Sequence, residues 1–436
     1  MRLKLFFIVY RLAWIVLLPL VLVYLWRRGR RDSEYRRHLH ERFGLYRHRP
    51  TKGAIWFHAV SLGETRSATG LIHALLNRGD RVLLTHFTPA GRRESHRLFA
   101  GAIAAGQLQV VWVPFDMAWC LRRFLRAFQP RIGLTLEVEI WPSMIFATRA
   151  ANVPLYLCNG QYPDKSFQRD SRGLQFRILL MQRLAGALVK SELQVQRFIQ
   201  IGVRNVRATG ELRFDQPVPE DQVQAARLNR ANLGLARDVV TIASGVEDEE
   251  PLYCELISRM RDRALVGHSP PPLFIYVPRA PERFDAVADN LSNSGLNVVR
   301  RSQVLDKSLR LGQSLKDADV LLGDSLGEMF FYLELADRVV VGGGFTPRGA
   351  HNIIEPLMLG KSVLVGPHIW TIEYPFREAE RAGIVTSLPD IDHLFAALMD
   401  PTRIPSEKIA RFLDEHGSSS IRTLAAIDSV LKCNEN

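Results

Sequence analysis

Glu64 is the first side chain whose position suggests chemistry. It lies in "WFHAVSLGETRSATG", Trp56 to Gly70, directly after the apolar run "AIWFHAV". Ligands of open α/β sheets bind at the carboxyl ends of strands, so this position favours a general base. The spacing also fits a capping box, in which the Ser61 hydroxyl binds the backbone N–H of Glu64 and the carboxylate reaches back to Ser61. Gly63 favours function, because glycine in a first helical turn costs about 1 kcal/mol relative to alanine and lets a second molecule approach the backbone.

Two further carboxylates, Glu137 and Glu139, end another apolar run in "LTLEVEIWPSM". If the strand continues, alternation puts both side chains on one of its faces. If Glu137 lies near Glu64, the like charge raises a carboxylate pKa and opposes the lowering effect of a helix N-terminus. A carboxylate needs a raised pKa of this kind to act as a general base near neutral pH.

Three segments of the second half follow predicted strands, and two of them carry groups suited to a phosphate. "VVVGGGFTPRGAHNIIEPLMLG" is predicted to end a strand in three glycines and then to open a helix that receives the phosphate on backbone N–H groups. Arg279 in "VPRAPERF" directly follows a predicted strand, where a charge-assisted contact is favoured. Gly327 and Glu328 lie at a further strand-to-helix junction in "GDSLGEMF". Helix capping for residues 352–355 and a structural hydrogen bond for His351 are open alternatives.

Composition narrows the classes of partner. The 436 residues carry 57 Lys and Arg against 45 Asp and Glu, and the formal charge of +12 indicates an anionic partner. Nucleic acid is not expected, since nothing resembles a recognition helix or an aromatic RNA-binding motif. The four cysteines are widely spaced and the 12 histidines form no metal-ligand pattern. We therefore predict neither a disulfide framework nor a metal site, and no cofactor.

The N-terminus carries an apolar run of 21 residues from Phe6 to Trp26, near the length that crosses ~30 Å of hydrocarbon. Arg11 interrupts this run, so the segment either spans the bilayer with Arg11 snorkelling or lies obliquely as a monotopic anchor. Seven arginines follow between residues 27 and 42, while Arg2 and Lys4 precede the run, which predicts that the bulk of the protein is cytoplasmic. The arginines act as a topology signal alone or also bind anionic lipid headgroups.

From Gly53 onward, short apolar runs alternate with amphipathic stretches, which is the βαβα pattern of a parallel sheet covered by helices. The pattern weakens in the polar, proline-containing stretch "ELRFDQPVPEDQVQAARLNRANLG" and resumes at "VVTIASG". We predict a membrane anchor over residues 1–30 and two Rossmann-like doubly wound domains over 31–222 and 223–436. A cleft is expected between the edges of their sheets.

In chain order, the sequence resembles the 3-deoxy-D-manno-octulosonic acid (Kdo) transferases of lipopolysaccharide assembly, from the anchor to roughly residue 380. The matching segments are "YRRHLHERFGLYRH", "WFHAVSLGET", "TPAGRR", "VWVPFD", "LEVEIWPSMI", "GELRFD", "VPRAPERF", "GDSLGEMFFYLELAD", "VVVGGGF" and "GAHNIIEP" followed by "VLVGPH". The resemblance implies the GT-B fold, CMP-Kdo as donor, a phosphorylated lipid A precursor as acceptor, inversion of the anomeric centre and no metal. It also implies a location at the cytoplasmic face of the bacterial inner membrane, with anionic lipids as a partner.

The resemblance further assigns roles to residues. Glu64 resembles the general base of the family, Glu137 its transition-state carboxylate, and Arg213 of "GELRFD" a basic residue that is commonly lysine. The segments that resemble the CMP contacts are Pro278 and Arg279, then Leu326, Gly327 and Glu328, then Asn352, Ile353, Ile354 and Glu355. Arg213, Arg279 and the helix end after Gly344 are expected to stabilise the leaving phosphate, while Glu64 takes the proton of the attacking hydroxyl.

Several segments depart from the usual family pattern. PRHPER has become "PRAPER" with Ala280, THEGEE has become "GVEDEE", GGHN has become "GAHN", and the NARLS-like segment has become "NGQYP". Arginine at position 213 keeps the charge of lysine but changes the hydrogen-bond geometry. Two alternatives therefore stay open: a transferase of the same family with a related sugar donor or another lipid or glycan acceptor, and a catalytically silent membrane-anchored binding protein.

Overall fold

The computed structural model describes residues 2–47, 50–232 and 237–435. Two compact units divide the chain: Met1–Pro217 with His416–Asn436 forms the first, and Val218–Glu415 forms the second. Each unit contains one parallel sheet of seven strands covered by helices. The predicted α/β class with two Rossmann-like doubly wound sheets is confirmed.

The strands and helices alternate along the chain. The strands are β1 (Ile55–His58), β2 (Val82–His86), β3 (Leu108–Trp112), β4 (Ile132–Leu136), β5 (Leu155–Gly160), β6 (Gly186–Val189), β7 (Val206–Ala208), β8 (Val239–Gly245), β9 (Leu273–Pro278), β10 (Val298–Arg300), β11 (Val320–Leu322), β12 (Arg338–Val341), β13 (Val363–Val365) and β14 (Val385–Ser387). The helices are α1 (Arg2–Arg31), α2 (Leu62–Ser67), α3 (Thr69–Asn77), α4 (Pro89–Leu98), α5 (Ala100–Ala104), α6 (Ala118–Phe128), α7 (Pro142–Ala150), α8 (Asp164–Asp170), α9 (Phe176–Met181), α10 (Glu192–Gln200), α11 (Glu220–Asn232), α12 (Glu250–Val266), α13 (Phe284–Asn293), α14 (Arg301–Val304), α15 (Met329–Leu335), α16 (Ile354–Met358), α17 (Glu373–Arg381), α18 (Ile391–Met399), α19 (Ser406–His416) and α20 (Ser419–Glu435).

The sheet of the first unit has the strand order β3-β2-β1-β4-β5-β6-β7. β1 lies inside this sheet and is buried on both faces, so its first three residues are apolar: Trp56 joins the hydrophobic cluster on one face and Phe57 the cluster on the other. The connections reverse direction between β1 and β4, which are neighbours. A ligand crevice is expected at such a switch point, outside the carboxyl ends of the two strands.

The sheet of the second unit has the strand order β10-β11-β9-β8-β12-β13-β14, with all pairs parallel. Its switch point lies between β8 and β12. The helix α12 covers one face of this sheet: its residues Tyr253, Leu256 and Ile257 pack in one cluster with Ile242 of β8. The carboxyl ends of β11, β9, β8 and β12 are adjacent along one edge of this sheet.

The last helix belongs to the first unit, which corrects the predicted domain over residues 223–436. Ala426, Ile427 and Leu431 of α20 pack in the same cluster as Ile72 of α3. Arg78 Nη1 lies 2.8 Å from an oxygen of Asp428, a pair separated by 350 residues in the chain. The apolar stripe of α20 thus finds its partner far away in sequence, a contact that local periodicity does not show.

Residues 2–30 of the predicted anchor segment are helical. Residues 5–31 of α1 are long and apolar enough to cross a membrane by length and composition, with a mean hydropathy of 2.4 in the most apolar window. This is the one such helix in the described part of the chain.

Candidate active site

Glu64 is held at the end of β1 by its own helix cap. Ser61 Oγ accepts the backbone N–H of Glu64 at 3.4 Å and donates its hydroxyl proton to Glu64 Oε1 at 2.9 Å. The second carboxylate oxygen, Oε2, accepts the backbone N–H of Val60 at 2.8 Å. The predicted capping box is therefore present with one change: the carboxylate reaches the backbone of Val60 instead of that of Ser61. The cap fixes the carboxylate at the carboxyl edge of the sheet.

The surroundings of Glu64 change its acidity. Its side chain is buried, with 7% of the residue surface exposed. Burial raises the pKa of Glu64 to about 7; hydrogen bonds from Val60 and Ser61 oppose the shift, and the charges of Glu137 and Glu139 add to it. A carboxylate with a pKa near neutral suits a general base. The like-charge contribution agrees with the sequence prediction, whereas burial, the largest cause, has no signal in the local spacing.

Glu137 lies in a turn and not on a strand face. β4 ends at Leu136, and Glu137 has a φ of +56°, in the left-handed region that non-glycine residues rarely adopt. Its backbone N–H donates to Cys158 O at 2.9 Å, and Glu139 accepts the indole N–H of Trp141 at 2.9 Å. The strand does not continue past Leu136, so the condition under which both glutamates would share one strand face is not met. Such backbone strain is typical of functional sites.

Arg213 and Glu137 form an ion pair. Arg213 Nη2 donates to Glu137 Oε1 at 2.9 Å, with 28% of the Arg213 side chain and 38% of the Glu137 side chain exposed. Arg213 belongs to the 3₁₀ turn Leu212–Asp215, whose first residue follows Glu211. The structure therefore brings two of the three predicted catalytic residues, Arg213 and Glu137, into contact. The third, Glu64, follows β1, which is the neighbour of β4, and lies at the same edge of the sheet.

A buried network behind Arg213 was missed by sequence reasoning. Lys190 Nζ lies 2.6 Å from Glu211 Oε2, and Asn159 Nδ2 donates to Glu211 Oε1 at 2.8 Å. Burial raises the pKa of Glu211, but the charges of Lys190 and Arg213 outweigh it and lower the value to about 2. This anion caps the turn that carries Arg213. The available signal was Lys190 directly after the apolar run "GALV".

Two histidines near Glu64 are neutral and structural. His58 and His86 end β1 and β2 and have no exposed surface. Burial lowers their pKa values to about 4 and about 3, so neither carries a charge at neutral pH. His58 Nδ1 bonds Thr85 Oγ1 at 3.0 Å, and His86 Nδ1 bonds Ala59 O at 2.8 Å. Glu64 therefore has the better-suited pKa for a base at this edge.

In the second unit, Arg279 presents a free cation at the carboxyl edge. Pro278 ends β9, and the backbone N–H of Arg279 donates to Gly245 O at 2.9 Å, which ties this segment to the end of β8. The guanidinium is exposed and forms no ion pair with a carboxylate of the described residues. Burial, with the charge of Arg279 second, lowers the pKa of His351 to about 4.

The glycine-rich segment differs from its prediction. The carboxylate of Glu249, which has no exposed surface, accepts the backbone N–H groups of Gly343 and Phe345, each at 2.7 Å. The next helix, α16, begins only at Ile354, so the glycines do not open it, and no helix end follows Gly344 directly. Two of the N–H groups expected for a phosphate are thus already bound to a side chain of the departing segment "GVEDEE".

The turn after β11 is held by hydrogen bonds to the Glu328 carboxylate from neighbouring side chains. Glu328 accepts Arg301 Nε at 2.7 Å and Arg301 Nη2 at 2.8 Å, and the Tyr332 hydroxyl donates to it at 3.2 Å. Gly327 has a φ of +83°, and Leu326 is 74% exposed. The carboxylate of Glu328 is therefore engaged inside the protein, and the turn presents Leu326 to solvent.

The segment after β12 forms an Asx turn in place of the possible helix cap, since the N-cap position of α16 is Ile353, which makes no side-chain cap bond. Asn352 Oδ1 accepts the backbone N–H of Ile354 at 3.0 Å, which starts α16. Ile353 and Ile354 are buried, and Glu355 is partly exposed. The structure brings all three predicted donor segments to the same edge of the second sheet, and their contact with a nucleotide stays a prediction.

Solved structures with the same architecture define the fold class. A putative UDP-N-acetylglucosamine 2-epimerase of Listeria monocytogenes aligns with 87% of this chain and 96% of its own, with a TM-score of 0.56 and 14% identity. The UDP-GlcNAc 2-epimerase of Neisseria meningitidis aligns with 88% of this chain and 100% of its own, with a TM-score of 0.53 and 12% identity. At these identities the likeness shows the fold alone, and the predicted GT-B class is confirmed.

Sequence comparison gives the family. Residues 37–216 match the family described as 3-deoxy-D-manno-octulosonic-acid transferase (kdotransferase). The 3-deoxy-D-manno-octulosonic acid transferase of Bordetella pertussis is 38% identical over 97% of this chain and 99% of its own, and that of Haemophilus influenzae is 27% identical over 82% of both. This chain belongs to the Kdo transferase family and is a glycosyltransferase of lipopolysaccharide biosynthesis.

Proposed function

We propose that this chain transfers Kdo from CMP-Kdo to a phosphorylated lipid A precursor, with inversion and without a metal, at the cytoplasmic face of the bacterial inner membrane. One observation carries the proposal: a buried carboxylate, Glu64, with a pKa of about 7, lies at the switch point of a Rossmann-like sheet next to the strand that leads to the Glu137–Arg213 pair. Family membership supports the sugar, and the apolar helix α1 with the arginines that follow it supports the location.

In the proposed mechanism, ionised Glu64 accepts the proton of the attacking acceptor hydroxyl. The hydroxyl oxygen forms a bond to the anomeric carbon of Kdo on the face opposite to CMP, and the electrons of the breaking C–O bond leave with the phosphate of CMP. Positive charge develops on the sugar, and Glu137 stabilises it electrostatically. Arg213 orients Glu137 and adds a positive charge that favours the departing phosphate.

The second unit is proposed to hold the nucleotide. The exposed guanidinium of Arg279, without a carboxylate partner among the described residues, suits a charge-assisted hydrogen bond to the CMP phosphate. Pro278, the segment 326–328 and the segment 352–355 are proposed to contact the rest of CMP. Because Glu328 is bound to Arg301, we expect the nucleotide to meet the backbone of this turn and not the Glu328 carboxylate.

Mass detection of the product tests the proposal. Purified full-length protein is incubated with CMP-Kdo and lipid A precursor, and the Glu64→Gln variant serves as the matched control. The expected result is a product heavier by Kdo with the unchanged chain and a strong loss of product with the variant. A correctly folded protein that forms no such product contradicts the proposed donor or acceptor.

A related donor or acceptor is the second candidate. In the departing segment "GVEDEE", Arg283 lies 3.1 Å from Glu247 and 2.8 Å from Glu250, and Glu249 binds the glycine-rich loop. These three glutamates match the glutamates of the usual THEGEE pattern, and the departures are Gly245, Val246 and Asp248. Asp248 pairs with Arg348 at 2.8 Å, an ion pair that a glycine at this position would lack. A panel of CMP-sugars and phosphorylated lipid acceptors, with the same mass detection, distinguishes the two candidates.

A further inference from the structure

The two faces of α1 have opposite surroundings. Partly or fully buried positions recur every three or four residues, which is the helical repeat, and we name them the covered face. The covered face consists of Phe6, Phe7, Tyr10, Ala13, Trp14, Leu18, Val21, Leu22 and Leu25. At 1.5 Å per residue this face extends over ~28 Å, close to the ~30 Å thickness of a hydrocarbon core.

The covered face packs on the first unit at its start, middle and end. The ring of Phe6 lies 4.7 Å from that of Phe176, and the ring of Phe7 lies 4.4 Å from that of Phe146, measured between ring centroids. Leu25 is 5% exposed and packs in a cluster with Phe115, Met117 and Cys120. The first unit therefore contacts α1 along the whole apolar length.

A partly buried hydrogen bond reinforces this packing. The Tyr10 hydroxyl donates to Asp116 Oδ2 at 2.6 Å, and Asp116 is 1% exposed. Asp116 also accepts the backbone N–H groups of Ser143 at 2.9 Å and Met144 at 2.8 Å, at the start of α7. Removing α1 would deprive a buried carboxylate of a donor, at a cost of about 1–3 kcal/mol. It would also expose the aromatic residues beneath the helix.

The opposite face of α1 is apolar and uncovered, and we name it the exposed face. Its exposed large side chains are Leu5, Ile8, Leu12, Ile15, Val16 and Leu20, with exposed fractions between 57% and 69%. A continuous apolar stripe of this kind marks an interaction surface. Tyr24 and Trp26 are exposed at its end, and the guanidinium of Arg30 lies 4.1 Å from the Trp26 ring centroid.

We propose that α1 lies in the plane of the membrane interface, with its covered face on the first unit and its exposed face in the acyl-chain boundary of an anionic leaflet, and does not cross the bilayer. The proposal rests on the membrane location of the proposed function. A spanning helix would have to leave the first unit, because the covered face is as long as the hydrocarbon core is thick. The aromatic residues and exposed arginines at the end of α1 match an anionic headgroup region.

Arg11 agrees with this orientation. It is exposed in the protein, and in an in-plane helix its guanidinium reaches the headgroups directly. In a spanning helix it would lie inside the apolar run and would have to snorkel to reach the headgroups. An in-plane helix also keeps the Tyr10–Asp116 bond.

The position of the N-terminus tests the proposal. The full-length chain receives one cysteine before Met1 together with Cys433→Ser, since Cys433 is exposed while the other three native cysteines are buried. A membrane-impermeant maleimide is applied to intact spheroplasts and to inverted inner-membrane vesicles. The in-plane helix predicts labelling in the vesicles only. Labelling in intact spheroplasts would place the N-terminus in the periplasm and overturn the proposal.

Photo-crosslinking identifies what each face contacts in the same membranes. A photoreactive phenylalanine replaces Phe7 on the covered face or, as a matched control, Ile15 on the exposed face. We expect the probe at position 7 to crosslink to the peptide that contains Phe146 and the probe at position 15 to form lipid adducts. Lipid adducts at position 7, or a crosslink between two copies at position 15, would overturn the proposal. Neither readout needs sugar transfer, so a failure here is distinguishable from a failure of the proposed activity.

Discussion

Arg213 Nη2 donates to Glu137 Oε1 at 2.9 Å and joins two turns that are 76 residues apart in the chain. Both side chains are partly exposed, so water screens the pair and its contribution to the free energy of unfolding is expected to be small. Glu137 adopts a left-handed backbone conformation that a structural ion pair does not require. We therefore propose that the pair acts in the transfer reaction rather than in stabilising the fold.

Replacing Arg213 tests this explanation. Arg213→Met removes the donor to Glu137 and, in the proposed mechanism, a positive charge that favours departure of the phosphate, and we expect kcat to fall about 10²–10³-fold. Arg213→Lys keeps the charge and is expected to retain most of the activity. The free energy of unfolding, measured in urea, should change by less than about 1 kcal/mol in both variants. Equal loss of activity with lysine would indicate that the fork geometry of arginine, and not its charge, is required.

The activity should depend on pH through Glu64. Because the base must be ionised and its pKa is about 7, kcat/KM is expected to rise with pH up to about 7 and then to level off. Below this value the rate should fall about tenfold per pH unit. The Glu64→Gln variant should lose about 10²–10⁴-fold in activity and show no such rise. A profile of kcat/KM against pH for both proteins checks this, and a rise centred near the ordinary glutamate value would exclude Glu64 as the base.

The same shift predicts a gain in stability when Glu64 loses its charge. The pKa of about 7 in the folded protein exceeds the ordinary value of 4.5, so stability is full below about 4.5 and is lost as the pH rises through about 7. At ~1.4 kcal/mol per pKa unit, Glu64→Gln should therefore raise the free energy of unfolding by about 3 kcal/mol at about pH 8. Near pH 4 it should have little effect. Thermal unfolding at the two pH values measures the difference, and a variant that is destabilised at pH 8 would contradict it.

For the buried pair of Lys190 and Glu211 we predict that removing a charge lowers the free energy of unfolding. Lys190→Met leaves Glu211 buried without its cation, and we expect a loss of about 3–5 kcal/mol in the free energy of unfolding. The double variant Lys190→Met/Glu211→Gln should recover much of this loss, because no uncompensated charge remains. Urea unfolding of the single and double variants measures the effect. A single variant as stable as the unchanged protein would show that the pair does not hold the Arg213 turn.

The order of strands and helices was predictable because apolar runs and amphipathic stretches alternate clearly in this chain. The site at β1 and β4 was predictable for a related reason: Glu64 and Glu137 follow apolar runs directly, and the carboxyl ends of parallel strands meet at one edge. The resemblance to a family then separated the base from a simple helix cap, which the local spacing could not do. In Glu64 the cap and the proposed base coincide, since the capped carboxylate is also the one with the raised pKa.

Other features depend on contacts between distant segments and left no local signal. The end of β4 at Leu136 is followed by a turn tied to Cys158, and the packing of α20 on α3 joins the two ends of the chain. Glu249 lies in a polar segment whose spacing gives no hint that its carboxylate is buried. These positions are fixed by tertiary packing, which overrides what a short window of sequence indicates.

Glu249 also gives a prediction for the donor side. Its carboxylate accepts the N–H groups of Gly343 and Phe345, one on each oxygen. Glutamine keeps only one acceptor oxygen, so we expect Glu249→Gln to loosen this loop. If the loop supports the nucleotide, the KM for CMP-Kdo should rise about tenfold, a cost of ~1.4 kcal/mol that lies within the usual range for a buried group left without its partner.

Glu247 offers the matched control, because it lies in the same segment but has 54% of its side chain exposed. Glu247→Gln should change neither the KM for CMP-Kdo nor the free energy of unfolding by more than a small amount. Steady-state kinetics with varied CMP-Kdo at saturating acceptor measure both variants. If Glu249→Gln lowers only kcat and leaves the KM unchanged, the loop acts in the transfer step and not in holding the donor. If Glu249→Gln and Glu247→Gln have the same kinetics, the buried carboxylate of Glu249 has no specific role in the donor site.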